Sequence, residues 1–154
     1  MSDVPSYVVD ASSVVKWYLR ESDSEQALQI LRDYRQGRIS LLAPDRIRHE
    51  VPAALWRAVF VRKLVSRDDG RLLIESFQGL KLPTLRSESL VLMAYDLTFE
   101  YGCSLYDGFY VAAASVTQDR LITADDKLYP SLYGKFPFVE RLQDDPWTGA
   151  AQRG

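Results

Sequence analysis

Short apolar runs alternate along this chain with longer stretches in which apolar residues recur every three or four positions. The runs at residues 7–9 and 39–43 are apolar almost throughout, which is typical of strands buried on both faces of a sheet. Further short runs predict strands at residues 80–82, 121–123 and 136–142. Strands that alternate with helices form a parallel sheet covered on both faces. The pattern therefore predicts an α/β fold, a sandwich of three layers.

The helical stretches between these strands each carry an apolar stripe. Helices are predicted at residues 11–20, 24–36, 67–79 and 87–100 and from 106 or 107 to 115, and another opens at Pro44. Ser24 is the expected N-cap of the second helix. Pro52 is expected to kink or divide the helix that opens at Pro44, because the proline ring removes one main-chain hydrogen bond.

Length and composition place the chain among single-domain globular proteins. Its 154 residues fit one domain, expected at residues 1–143 and followed by a polar, loosely ordered tail at residues 144–154. The first residues lack the pattern of a secretory signal, and no apolar run approaches the roughly 18 residues of a membrane span. A cytoplasmic protein with no membrane association is expected.

Charge and residue counts narrow the chemistry. The chain has 19 Lys plus Arg against 21 Asp plus Glu, for a net charge of -2. A polyanionic partner must therefore meet a local basic patch or bind through metal ions. One Cys and one His exclude a disulfide within the chain and a zinc site of the usual His or Cys type.

Acidic residues stand where parallel sheets place their functional sites, beyond the carboxyl ends of the strands. Asp10 follows the first predicted strand, Asp125 and Asp126 follow the strand at residues 121–123, and Asp107 begins a predicted helix. Clustered carboxylates repel each other unless a cation neutralises them, and oxygen ligands favour Mg²⁺ or Mn²⁺. Such ions serve phosphoryl transfer, so the pattern indicates a metal-dependent nuclease or phosphatase.

Four motifs carry a family resemblance: VVDASSVVKWYL, APDRIRHEVPAAL, CSLYDGFYVAAA and LITADDKLY. In this order and spacing, over roughly residues 7–140, they resemble the PIN-domain ribonucleases and most closely the VapC-type toxins of toxin–antitoxin pairs. The resemblance implies about five parallel strands, an RNA substrate, a homodimer and a small antitoxin protein as partner.

The resemblance also implies functional roles for individual residues. It assigns a catalytic set to this chain: Asp10, Glu50, Asp107 and Asp125. Of these, Asp10, Asp107 and Asp125 are expected to hold Mg²⁺ or Mn²⁺, while Glu50 completes the ligand shell or orients the attacking water. Ser12 and Thr123 match hydroxyl positions that support the acids. Asp126 stands beside Asp125 and either could reach the metal, although the motif favours Asp125.

Two alternatives remain open at this point. A Mg²⁺-dependent phosphatase acting on a small phosphoester would favour Asp-x-Asp after the first strand, and the actual order Asp10-Ala11-Ser12 counts against it. A non-catalytic PIN-like binding module would be favoured by the loss of an acid, and all four are present.

Overall fold

The structure is a computed structural model that describes residues 4–144. Its strands are β1 (Ser6–Val9), β2 (Ser40–Pro44), β3 (Thr84–Leu85), β4 (Arg120–Thr123) and β5 (Val139–Arg141). Its helices are α1 (Ala11–Val15), α2 (Ser24–Arg35), α3 (Ile47–Phe60), α4 (Arg67–Leu80), α5 (Val91–Tyr101), α6 (Leu105–Thr117) and α7 (Leu128–Leu132). Single 3₁₀ turns occupy Ser87–Leu90 and Leu142–Asp144.

The five strands described form one sheet in the order β3-β2-β1-β4-β5, and every neighbouring pair is parallel. In the centre of the sheet, Val8 lies opposite Leu42 of β2 and Leu121 of β4. The chain builds outward from β1 to β3 and then returns to the other side of β1. The strand order therefore reverses between β1 and β4, which is where open α/β sheets form a crevice for ligands.

Helices cover both faces of this sheet. Val8 and Val9 point to opposite faces and neither is exposed to solvent. On one face α6 packs against β1, β2 and β4, while α1, α3 and α4 pack against one another in series. The predicted α/β sandwich with a parallel sheet is confirmed.

Two predicted elements were misplaced. The strand expected at residues 80–82 is wrong, because α4 continues to Leu80 and Lys81 adopts a left-handed φ of 53°. Pairing begins only after that turn, where the Ala43 N–H donates to the Pro83 carbonyl at 3.2 Å. The strand expected at residues 136–142 is shortened to Val139–Arg141, since Pro137 has no N–H to donate to a ladder.

The helix boundaries also show where local chemistry differs from expectation. Ser24 is not the N-cap of α2; that position is Asp23, and the Ser24 hydroxyl accepts from the Glu21 N–H at 2.9 Å instead. Pro52 does not divide α3, which is one helix across it. The buried side chains of Val51 and Leu55 hold this helix against the core on either side of the proline.

None of the helices in the described part of the chain combines the length and apolarity needed to cross a membrane. Residues 145–154 lie outside the described residues, so the structure does not bear on the predicted tail beyond its first position.

Candidate active site

Asp10 is the innermost acid of the site, directly after β1. It is the N-cap of α1, and its side chain is only 4% exposed. Its Oδ1 accepts hydrogen bonds from the Ser12 hydroxyl at 2.7 Å and from the N–H and the hydroxyl of Ser13, both at 3.0 Å. The same residue thus ends the strand, caps the helix and orders the turn between them.

A hydroxyl from the neighbouring strand reaches Asp10 as well. The Thr123 hydroxyl, at the end of β4, donates to Asp10 Oδ2. In return the Ala124 N–H donates to the Ser12 hydroxyl at 3.1 Å, and the Asp125 N–H donates to the Thr123 hydroxyl at 3.0 Å. The structure therefore places Ser12 and Thr123 so that they join the ends of β1 and β4 around Asp10.

The electrostatic state of Asp10 follows from its burial. Desolvation raises the pKa of this carboxyl from 3.8 to about 6, against the hydrogen bonds from Thr123, Ser12 and Ser13 that lower it. All of these donors are neutral, so they stabilise the carboxylate less than a cation would. A bound cation would therefore stabilise the ionised Asp10 carboxylate at this position.

Asp125 follows β4 and has a local role in addition to any chemical one. Its Oδ1 accepts from the N–H of Lys127 at 2.7 Å and of Leu128 at 3.0 Å. This carboxylate therefore stabilises the turn that leads into α7, a helix that the hydrophobic pattern did not indicate. The neighbouring Asp126 is exposed.

Asp107 brings the separate acids into one electrostatic neighbourhood. It lies in the first turn of α6, where the Ser104 hydroxyl accepts its N–H at 3.1 Å. Burial raises the pKa of the Asp107 carboxyl, and the carboxylates of Asp125 and Glu50 raise it further. Ser104 and Arg46 act in the opposite direction. Acids from α3, α6 and the end of β4 therefore share a site.

Glu50 is held on both of its oxygens. The Arg46 guanidinium, one turn earlier on α3, forms an ion pair with Oε1, and the Tyr110 hydroxyl donates to Oε2 at 2.6 Å. Arg46 itself lies over the ring of Tyr106, with 3.9 Å between its guanidinium carbon and the ring centroid. Burial and the nearby Glu50 carboxylate both raise the pKa of Tyr110, so its hydroxyl remains a proton donor to Glu50.

Sequence reasoning missed three of these supporting residues: Ser13, Arg46 and Tyr110. Arg46 precedes Glu50 by four residues, a spacing that places both on one helix face, and this was the available signal. Tyr110 follows Asp107 by three residues, but its contact with Glu50 depends on how α6 packs near α3.

The donor set suits a hard divalent cation, because the acids offer only oxygen ligands in a partly desolvated site. Within the described residues, however, no three Asp, Glu, His or Cys side chains are grouped closely enough to hold a metal ion. Asp10 is occupied by hydroxyl donors, and Glu50 is occupied by Arg46 and Tyr110. Cation binding at these acids would thus require side-chain rearrangement.

Comparison with known proteins gives a consistent family relationship. The PIN domain family matches residues 7–130 of this chain. Ribonuclease VapC3 of Pyrobaculum aerophilum is 31% identical over 131 residues, which cover 81% of this chain and 95% of the relative.

Two solved structures share the fold. The crystal structure of PAE2754 from Pyrobaculum aerophilum matches with a TM-score of 0.64 and 16% identity, covering 99% of both chains. A toxin–antitoxin complex from Klebsiella pneumoniae matches with a TM-score of 0.57 and 14% identity, covering 88% of this chain and 97% of that one.

Proposed function

Because this chain belongs to the PIN domain family, we propose that it is an endoribonuclease that requires Mg²⁺ or Mn²⁺ and acts as the toxin of a toxin–antitoxin pair. The 31% identical relative is named a ribonuclease, and one solved structure of this fold is a toxin–antitoxin complex. Both support the proposal.

The observation that carries the proposal is the electrostatic coupling of the acids at the crevice between β1 and β4. Asp107 is destabilised as a carboxylate by Asp125 and Glu50, and Asp10 is destabilised by burial. A protein keeps such an arrangement at a cost in stability, which a bound cation offsets. Perturbed carboxyls gathered at a strand-order reversal are typical of a catalytic site.

Each acid has a role in the proposed reaction. A divalent cation held by Asp10, Asp107 and Asp125 would activate water, bind the phosphodiester and stabilise the leaving oxygen. Ser12 and Thr123 fix the Asp10 carboxylate by hydrogen bonds. Tyr110 fixes one oxygen of Glu50, and the other oxygen would orient the attacking water once its ion pair with Arg46 opens.

The decisive experiment measures cleavage of a fluorescent single-stranded RNA by the purified chain. We expect cleavage in buffer with Mg²⁺ or Mn²⁺ and no cleavage in buffer with a chelator of divalent cations. Cleavage should recover when Mn²⁺ is added in excess of the chelator. Equal cleavage with and without chelator would contradict the metal requirement. Hydrolysis of p-nitrophenyl phosphate without RNA cleavage would favour the phosphatase, and inactivity toward both would favour a non-catalytic binding module.

A pair of adjacent acids provides a matched comparison within the same experiment. Asp125→Asn should lower the cleavage rate by orders of magnitude, because Asp125 couples electrostatically to Asp107. Asp126→Asn should have a small effect, because that side chain is exposed. If Asp126→Asn is the inactive variant, then the assignment of the metal ligand is wrong by one residue.

The proposed antitoxin needs an exposed apolar surface, and α3 offers one. Trp56 and Phe60 are both exposed and stack on each other with ring centroids 5.2 Å apart, followed by exposed Val61. The sequence of α3 and the residue after it, with Trp56, Phe60 and Val61, has more large apolar residues than one core-facing stripe requires. A small protein that covers this patch would contact the same helix that carries Glu50.

A further inference from the structure

A groove of about 510 Å³ opens beside the acidic site, between α1 and α3. Glu50, Ser12 and Ala124 lie at one end of it, and Arg57 and Arg62 lie toward the other. Glu50 and Arg57 are both on α3 and are separated by seven residues, about 10.5 Å at the rise of an α-helix. Ala53 and Ala54 line the α3 side of the groove between them, so the side chains on this part of the wall are small.

The three basic side chains of this groove differ in whether they already form an ion pair with an acidic side chain. Lys16 lies 3.3 Å from Glu21 Oε2 and donates to the Ser22 carbonyl at 2.8 Å. Arg62 lies 3.5 Å from Glu21 Oε1. Arg57 is exposed, and within the described residues no hydrogen bond or ion pair is found for its guanidinium.

We propose that this groove binds the sugar–phosphate backbone of a single-stranded RNA, with Arg57 contacting a phosphate one to three nucleotides from the cleaved bond. The inference rests on the proposed function, since Glu50 at the groove's end belongs to the acidic site where cleavage is proposed to occur. The spacing follows from the geometry, because one strand of a stacked duplex advances about 3.4 Å per nucleotide and an extended strand advances more. Glu21 restrains Lys16 and Arg62 and thereby limits the affinity.

An RNA backbone suits this groove better than an acidic peptide does. A chain with a phosphodiester at the acidic end necessarily carries another phosphate a few nucleotides along, where Arg57 can bind it. An acidic peptide offers no phosphodiester for a cation at the acidic end of the groove to bind, so only the Arg57 end would attract it. The alanine wall leaves room for ribose rings between the two ends.

The test measures binding of a fluorescent nine-nucleotide RNA to the full chain in chelator, which suppresses cleavage, across a range of salt concentrations. Arg57→Gln should weaken binding about tenfold. It should also reduce the slope of log affinity against log salt by about 0.7, the value for one phosphate contact to a single strand. Glu21→Gln should have the opposite effect and tighten binding, because Lys16 and Arg62 are released.

Arg48→Gln is the matched control, since it removes the same charge from an exposed position on the same helix. Arg48 lines a separate pocket with Phe77 and Lys81, so its loss should change affinity and salt slope little. Melting temperatures of all variants should stay close to that of the wild type, because these side chains lie outside the core.

The outcomes separate this inference from the proposed function. If the wild type cleaves RNA with Mn²⁺ while Arg57→Gln and Arg48→Gln bind alike, the groove assignment is overturned and the nuclease proposal stands. If binding depends on Arg57 but no divalent cation supports cleavage, the nuclease proposal fails and with it the placement of Arg57 relative to a cleaved bond, while the groove remains an RNA-binding site. A nine-residue polyglutamate that displaces the RNA at equal concentration would show a peptide site instead. A chain that neither binds nor cleaves the RNA would overturn both.

Discussion

Asp10 accepts four hydrogen bonds from three residues and still has a pKa raised by its burial. Neutral hydroxyl and amide donors orient a carboxylate, but they do not replace the hydration that burial removes. In the metal-free protein the ionised Asp10 therefore lowers the free energy of unfolding. The same desolvation favours a cation when one is present.

This balance predicts how Asp10→Asn changes stability. The folded protein holds the Asp10 proton up to a pKa of about 6, whereas an unfolded chain releases it near 3.8. Stability is thus lost as pH rises between these values, by about 3 kcal/mol at most. In chelator at pH 7.5, Asp10→Asn should melt at a higher temperature than the wild type, and the advantage should shrink toward pH 4. In Mn²⁺ the variant should have lost its cleavage activity.

Asp126→Asn serves as the control for the Asp10 measurement, because it removes one negative charge from an exposed position. Its melting temperature should follow the wild type at every pH. If Asp10→Asn is less stable than the wild type at pH 7.5 in chelator, then the hydrogen bonds to Asp10 outweigh its desolvation, and the carboxylate does not destabilise the metal-free protein.

For single residues, the sequence predicted a functional role where that role depends only on the residue's place directly after a strand. Asp10 and Asp125 could be selected because each follows an apolar strand, and parallel strands align their carboxyl ends. The partners of Glu50 were not predictable in this way. Tyr110 comes from α6, sixty residues further along, and only the packed structure shows that it reaches Glu50.

Among the helices and strands, α6 links the packing of the fold most directly to the acidic site, because it carries both Asp107 and a close contact with α5. Ser104 caps it, Asp107 follows in its first turn, and Gly108 comes next against α5. A Cβ at Gly108 would lie 2.8 Å from the main-chain oxygen of Ala94. The small residue therefore sets the distance between α5 and α6, and with it the position of Asp107.

Gly108→Ala should consequently destabilise the protein even though alanine is the better helix former. Overpacking against main-chain atoms costs about 1–3 kcal/mol, while the gain in helix propensity is about 1 kcal/mol. We expect a melting temperature several degrees lower and reduced cleavage, since the first turn of α6 must shift. Gly79→Ala in α4 is the matched control, because nothing lies within 4 Å of its added Cβ. It should be neutral or stabilising. Equal effects of both variants would contradict the close-contact argument.

The hydrophobic pattern predicted some strands and helices of the fold and missed others. The apolar runs of β1, β2 and β4 were predicted because each is buried on both faces. The two residues of β3 were not, because their pairing depends on the turn after α4 and on the Pro83 carbonyl. The short helix α7 was missed because its first turn is organised by Asp125 rather than by an apolar stripe.

At the scale of the whole molecule, α3 and α5 each have apolar residues in the core and further apolar residues on the surface. On α5, Leu92 is 80% exposed and Phe99 is 73% exposed, and Tyr95 lies between them on the same side. The edge-on contact of Tyr95 with Phe99, at 5.0 Å between ring centroids, makes this a contiguous patch. With the patch at Trp56 and Phe60 on α3, residues 4–144 present at least two apolar surfaces of the kind that mark protein contacts.

These two surfaces lead to a prediction about assembly. The α3 patch lies on the helix that also carries Glu50 and Arg57 and is assigned to the inhibiting partner, so the α5 patch is assigned to self-association. Light scattering of the isolated protein at micromolar concentration should give twice the chain mass of 17.6 kDa. Phe99→Glu should halve that mass, because it places two charges in an apolar contact that a two-fold axis repeats. Phe60→Glu should leave the mass unchanged. If Phe60→Glu is the variant that dissociates, then α3 is the dimer surface, and a monomeric wild type would exclude the dimer altogether.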